Sequence, residues 1–421
     1  MEGDLEAHVN GVQRICDKTA TPAVVPRLKY VLQRHLDMTA QLRVLRAPAA
    51  DKVSPRDKLA AWEDLKILAF TRVAASCLSL GILSLHMRVM LNILSRQLYL
   101  ENALEGTPAR DGWPSLPVDA QEKFLGLVEK GFPTLGVRRL IRAVRTVVSR
   151  KVVNLQLSRS LDAKELGALL EEIRDELLPN VMRGNWIVAN ESDDDDGDEK
   201  AKDEGGAGGD EGGEGIEGTR RGGGGGGGAG EEDSGRVSTR GEPQRWEDVL
   251  LPGDEDVMRT FAGEEAMALS DGDESDYDDD DDDDDNDVGD DVTAKGDGAL
   301  AAAVARRRKR LERRARTAAM KAEQLACMIQ EVRTITQSAR FSDTLETCLH
   351  DAWDHMTEET VSELYDEDDD EEEEKKTTTL AVAKLVPALS NLSGELLDNP
   401  EALLTHVAAG EEVRVFTREI W

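Results

Sequence analysis

Apolar residues recur along this chain at the spacing of helices that each bury one face. Leu28, Val31, Leu32 and Leu36 fall at i, i+3, i+4 and i+8, with Arg27, Arg34 and Asp37 elsewhere on the wheel. Two longer apolar stretches follow, 57–80 and 82–104, and they form the apolar centre of the first half. Residues 119–155 carry Phe124, Leu127, Val128, Leu140, Ile141 and Val144, with an interruption near Gly131 and Pro133. The next helix spans 162–178, where Asp162 and Glu165 have the spacing of an N-cap and its capping-box partner. Its stripe is Leu166, Leu169, Leu170, Ile173 and Leu177. No strand-like alternation of useful length occurs.

Past residue 190 the pattern stops. Asp193–Asp196, the glycine run 222–228 and the aspartate run 278–285 hold too little apolar surface to offset the entropy of ordering. The expectation is a disordered acidic and Gly-rich insertion over 191–297, dividing 1–190 from 298–421. Closing so long a loop costs only about 2 kcal/mol, so the two parts belong to one helical bundle. Deleting 191–297 is then expected to leave melting nearly unchanged. Helical pattern resumes with Leu325, Met328, Ile329, Val332 and Ile335, then Leu345, Cys348, Leu349, Trp353 and Met356. An acidic loop at 366–376 precedes a last apolar region, 380–418, punctuated by Pro387, Pro400 and Gly410. The fold class is all-α.

Charge sharpens this division. The net charge of −34 resolves into 27 Lys+Arg against 21 Asp+Glu over 1–190, 9 against 40 over 191–300, and 16 against 25 over 301–421. The acidity belongs mainly to the middle segment. Four scattered cysteines, Cys16, Cys77, Cys327 and Cys348, make no C-x-x-C pair and imply a reduced compartment. Glu2, Asp4 and Glu6 stand where a secretory signal needs basic residues. The longest apolar stretch, Val73–Met87, falls short of the about 20 residues a bilayer span requires and reads as a buried core helix. The chain as written is therefore expected to carry no membrane anchor.

Catalytic motifs are missing: no G-x-S-x-G, H-E-x-x-H or G-x-x-x-x-G-K-[ST] occurs. His350 and His355 share a helix without an obvious third metal ligand. The expectation is a non-enzymatic protein with no cofactor or metal. A second reading rests on Arg306–Arg310 with Arg313, Arg314 and Arg316. This 306–316 cluster and the polyacidic run together suit a nuclear or chromatin-associated acidic adaptor. No aromatic residues interleave the cluster for base stacking, so nucleic acid is not the expected partner, and anionic lipid headgroups suit it equally.

The segment Lys58–Arg72 reads KLAAWEDLKILAFTR. At about 100° per residue, Trp62 falls about 40° from Lys58 and Lys66 about 80°, with Leu65 about 20° to the other side. That places the indole on the polar arc between two lysines and beside an exposed Leu65. Such a tryptophan is either an interface anchor, worth about 2 kcal/mol or more to binding, or a long side chain bent back into the bundle.

This segment resembles the peroxin-3 family. Its hallmark Trp-Glu-Asp-Leu-Lys-Ile run and following Phe-Thr-Arg match Trp62–Ile67 and Phe70–Arg72. Arg88–Ala103 (RVMLNILSRQLYLENA) is similar to the next family helix, and weaker matches follow in order at Glu172–Arg174, 341–349 and 379–387. The resemblance implies an elongated helical bundle on the cytosolic face of the peroxisomal membrane, monomeric, and tethered by an N-terminal transmembrane helix not among these residues. It implies a docking receptor that binds the N-terminal amphipathic helix of peroxin-19 and so enables insertion of peroxisomal membrane proteins. It assigns Lys58, Trp62 and Leu65 to the docking groove, and it favours the interface reading of Trp62. Asn92, Tyr99 and Asn102 match as structural polar groups. The insertion 191–297 departs from the family pattern.

Overall fold

The computed structural model describes residues 2–48, 53–103, 116–184, 246–253, 257, 296–365 and 379–421. Among these described residues, all but four in regular elements are helical, as the periodicity requires. The described residues belong to one compact unit made of 1–187 and 244–421; the second unit, 188–243, lies outside them, as does the acidic loop 366–376.

The chain opens with α1 (Glu2–Ile15), a π-helical turn (Cys16–Ala20) and α2 (Thr21–His35), which buries the expected Leu28, Val31 and Leu32. A short α3 (Thr39–Arg46) leads to α4 (Pro55–Ala103). The two helices expected at 57–80 and 82–104 are thus one helix of 49 residues. Gly81, at the expected break, continues it. A Cβ there would sit 2.9 Å from Leu349 Cδ2, so the missing methyl is what lets another helix approach. A glycine inside a helix costs about 1 kcal/mol, and tertiary contact offsets it.

From Leu65 to Leu94 nearly every α4 residue is buried, because other helices surround it. Before it in space lie α3, α5 (Val118–Lys130) and α6 (Val137–Val152); from the other half come α9 (Gly296–Thr336), α10 (Ala339–Tyr365) and α11 (Val382–Asp398). Among the described residues one helix is long and apolar enough to cross a membrane, and it is this one; 89% of its apolar window is covered by protein. Val73–Met87 is a core helix segment.

The halves are joined by more than packing. Strand β1 (Ser160–Leu161), just before α7 (Ala163–Met182), pairs antiparallel with β2 (Leu380–Ala381), Ser160 opposite Ala381. Ala383 N–H donates to Leu157 O at 3.1 Å and Tyr365 Oη to Leu161 O at 3.0 Å. Ion pairs Lys18–Glu401, Lys29–Asp398 and Arg174–Asp354 bridge them further. The Asp162–Glu165 capping box is present in both directions. The last apolar region becomes α11, α12 (Glu401–Ala409) and α13 (Glu411–Glu419), cut at Pro400 and Gly410.

The boundary of the insertion needs correcting. Trp246, Val249, Leu250, Leu251 and Val257 are buried in the main core, with Glu247–Leu250 forming the single turn α8. This apolar cluster sits between acidic runs, and composition averaged over 191–297 hid it. Deleting that whole range would empty part of the core. The asparagine expected to be buried at 102 is exposed, whereas Asn92 is fully buried and satisfied.

Candidate docking surface

The surface around Trp62 starts from the way α4 begins. Ser54 Oγ accepts from Asp57 N–H at 3.1 Å, and Asp57 Oδ2 accepts from Ser54 N–H at 3.3 Å, a reciprocal cap that starts the helix ahead of Pro55. Lys58 and Trp62, one turn apart, are both half-buried, and the indole packs against the main core. Leu59 beside them is 57% exposed, a large apolar side chain facing solvent. Helix α3 lies against α4, and none of its residues is fully buried; Leu42 and Leu45 are half-buried against the core.

Helix α3 is held at its start by Asp37, which accepts from Thr39 N–H at 3.0 Å and Thr39 Oγ1 at 2.6 Å. Those hydrogen bonds hold the Asp37 carboxyl below its usual range. The charge of Asp37 also acts on Arg72, whose guanidinium is depressed by burial and reaches Ser390 Oγ at 3.4 Å. So α3 begins level with Arg72 and packs against α4. Arg43 and Arg46 of α3 and Arg56, Asp57 and Asp64 of α4 are exposed.

Two details of the wheel are overturned. Leu65 is not exposed: it is 2% accessible and part of the core. Lys66 is not a rim lysine either: it is wholly buried, with Nζ 2.6 Å from Leu155 O and 2.5 Å from Glu63 Oε2. A wheel assigns one polar arc to a helix, but α4 is covered on nearly all sides from Leu65 to Leu94. Lys66 is accommodated because a carbonyl and a carboxylate complete its shell. Trp62 stays half-open because it lies in the first turns, before that cover is complete. The sequence reasoning missed Leu59, whose exposure no wheel centred on Lys58 highlights, and missed α3 altogether.

Elsewhere, His355 stacks on His406 with ring centroids 4.6 Å apart, and among the described residues no group of three or more His, Cys, Asp or Glu is placed to hold a metal. Arg307, Arg308, Lys309 and Arg316 of the 306–316 cluster are exposed on α9, with Arg308 paired to Glu312 at 3.0 Å. The Trp62 surface offers apolar area from Trp62 and Leu59 beside the half-buried Lys58.

Comparison with known proteins bears on the same stretch. The family model described as Peroxin-3 matches residues 18–112 and 231–421, together more than half of the chain. The second block runs through 246–257, so this part of the expected insertion is within the family pattern after all. "Peroxisomal biogenesis factor 3" of Bos taurus is 32% identical over 181 residues, 43% of this chain and 45% of that protein. The Homo sapiens protein of that name is 31% identical over 181 residues, with the same coverage. "Peroxisome biogenesis protein 3-1" of Arabidopsis thaliana is 30% identical over 189 residues, 44% of this chain and 51% of that protein. The chain spans about half the length of the curated relatives it matches.

Proposed function

The chain belongs to the Peroxin-3 family, and from that premise we propose that it serves in peroxisome biogenesis as a docking receptor at the peroxisomal membrane. Its bulk faces the cytosol, and it captures the N-terminal amphipathic helix of peroxin-19, which brings membrane-protein cargo. The mode is helix-in-groove recognition. Trp62 is the anchor, Lys58 lays its stem along the rim and steers an acidic partner, and Leu65 belongs to the floor under them rather than to the contact face. Leu59 extends the apolar contact.

The supporting observation is the half-open indole of Trp62, set beside exposed Leu59 at the uncovered start of the core helix. Truncating a central aromatic anchor costs about 2 kcal/mol or more, so Trp62→Ala should weaken capture of a peroxin-19 N-terminal peptide about 30-fold or more. Calorimetric titration reads the affinity, and circular dichroism checks that the fold persists. Unchanged affinity in a folded Trp62→Ala protein removes this site.

A further inference from the structure

On a different side of the core helix, α1, the π-helical turn, α4 and α13 enclose a recess of about 110 Å³. Arg88 lies in its wall and is 2% exposed. Nη1 donates to Gln13 Oε1 at 2.7 Å and Nη2 to Asp17, while Nε has no partner among the described residues. Gln13, which receives Nη1, is held in turn by Asn92. Asn92 Nδ2 donates to Arg88 O at 2.6 Å, and Asn92 Oδ1 accepts from Gln13 Nε2 at 3.0 Å and from Trp421 Nε1 at 2.7 Å. Rigid placement of this kind preorganises a guanidinium for a ligand.

Two more arginines line the recess from α13. Arg414 and Arg418 stand one turn apart on the same helix face, both exposed. Arg414 has no ion-pair partner among the described residues, and Arg418 lies 3.6 Å from Glu6 at the surface. The lining thus brings three guanidinium groups against one carboxylate, Asp17. A structural ion pair would account for Arg88 and Asp17 alone. It leaves the spare buried Nε, whose desolvation is uncompensated, and the two arginines that converge on the same space.

We propose that this recess is a phosphate-binding site, taking one phosphate group with Arg88 beneath it and Arg414 and Arg418 across it. Three arginines against Asp17, with Glu6 at the outer side of Arg418, leave the recess net positive and complementary to the −1.5 to −2 that a phosphate monoester carries near neutral pH. A tetrahedral phosphate offers an oxygen to each of three guanidinium forks, where a carboxylate has two to share. The volume is enough for one phosphate group at the arginines. A free phosphate and a phosphorylated lipid headgroup present the same chemistry.

Calorimetric titration of the full chain with inorganic phosphate tests this, with sodium chloride at matched ionic strength as the reference. Saturable binding is expected for phosphate alone, weakened about 10-fold or more by Arg414→Ala and again by Arg418→Ala, since each removes a charge-assisted hydrogen bond. Both positions are exposed, so these variants fold. Sedimentation with phosphatidylcholine vesicles, with and without a phosphatidylinositol monophosphate, separates the sources. Arg414-dependent pelleting with the phosphorylated lipid assigns a headgroup, and binding of inorganic phosphate without pelleting assigns a soluble phosphate. Heats that chloride reproduces, or phosphate affinity unaffected by both substitutions, overturn the site.

Discussion

His86 lies in the middle of α4 with no exposed surface, and neither ring nitrogen has a hydrogen-bond partner among the described residues. Burial pushes its pKa down from 6.5 to about 3. The folded protein therefore holds it neutral, while the unfolded chain takes up a proton near its ordinary value. Stability that this group contributes is intact above about pH 6.5 and is lost as pH falls toward about 3, at about 1.4 kcal/mol per pH unit. Between about pH 7 and about pH 5, wild type should lose about 2 kcal/mol more than a His86→Met variant, as read by urea denaturation. Equal losses would show that His86 is protonated in the folded state. At this scale the sequence was partly legible. The helical reading of the run around Trp62 agrees with its place in α4, because helix periodicity is local. The environments of Leu65 and Lys66 were not legible, since the carbonyl that receives Lys66 comes from Leu155, far along the chain.

Helix positions followed from periodicity where one face is buried, as in α2, α6 and α7. They were harder to set where a helix is buried all round, because α4 has no polar stripe to mark its limits. The interruption near Gly131 and Pro133 has a tertiary cause. A Cβ on Gly131 would lie 2.0 Å from Leu250 O, and one on Gly136 would lie 2.6 Å from Val249 Cγ1. These glycines between α5 and α6 make the notch in which the returning turn Trp246–Leu251 sits. Gly131→Ala should lower stability by about 1–3 kcal/mol. It should also raise the exchange of the Leu250 amide, which bonds Trp246 O at 2.9 Å. Hydrogen exchange that stays as slow as in wild type would mean that the turn is held independently of the notch.

Across the whole molecule, residues separated by the long acidic stretch form one core, and the returning turn divides that stretch into parts with different consequences. Replacing 191–243 by a short Gly/Ser linker should change the melting temperature little, since the core unit resumes at Gln244. Removing 191–297 should lower it markedly, because Val249, Leu250 and Leu251 leave the core, at about 2 kcal/mol for each side chain fully buried. Thermal melts of the two deletions, followed by circular dichroism, measure the difference. Equal melting temperatures would show that the turn contributes nothing to the core.

The order of hydrophobic and polar residues by itself determined an all-helical protein, its two halves, and the turn of helix that bears Trp62. These depend on neighbours within a few positions, where helix geometry relates spacing to direction. Tertiary structure alone decided that two apolar stretches are one 49-residue core helix, that a cluster inside acidic sequence returns to the core, and which lysine faces water. It also gathered Arg88, Arg414 and Arg418 into one recess. Each of those outcomes depends on segments tens to hundreds of residues apart meeting in space, where burial of one side chain is set by another with no local trace in its own sequence.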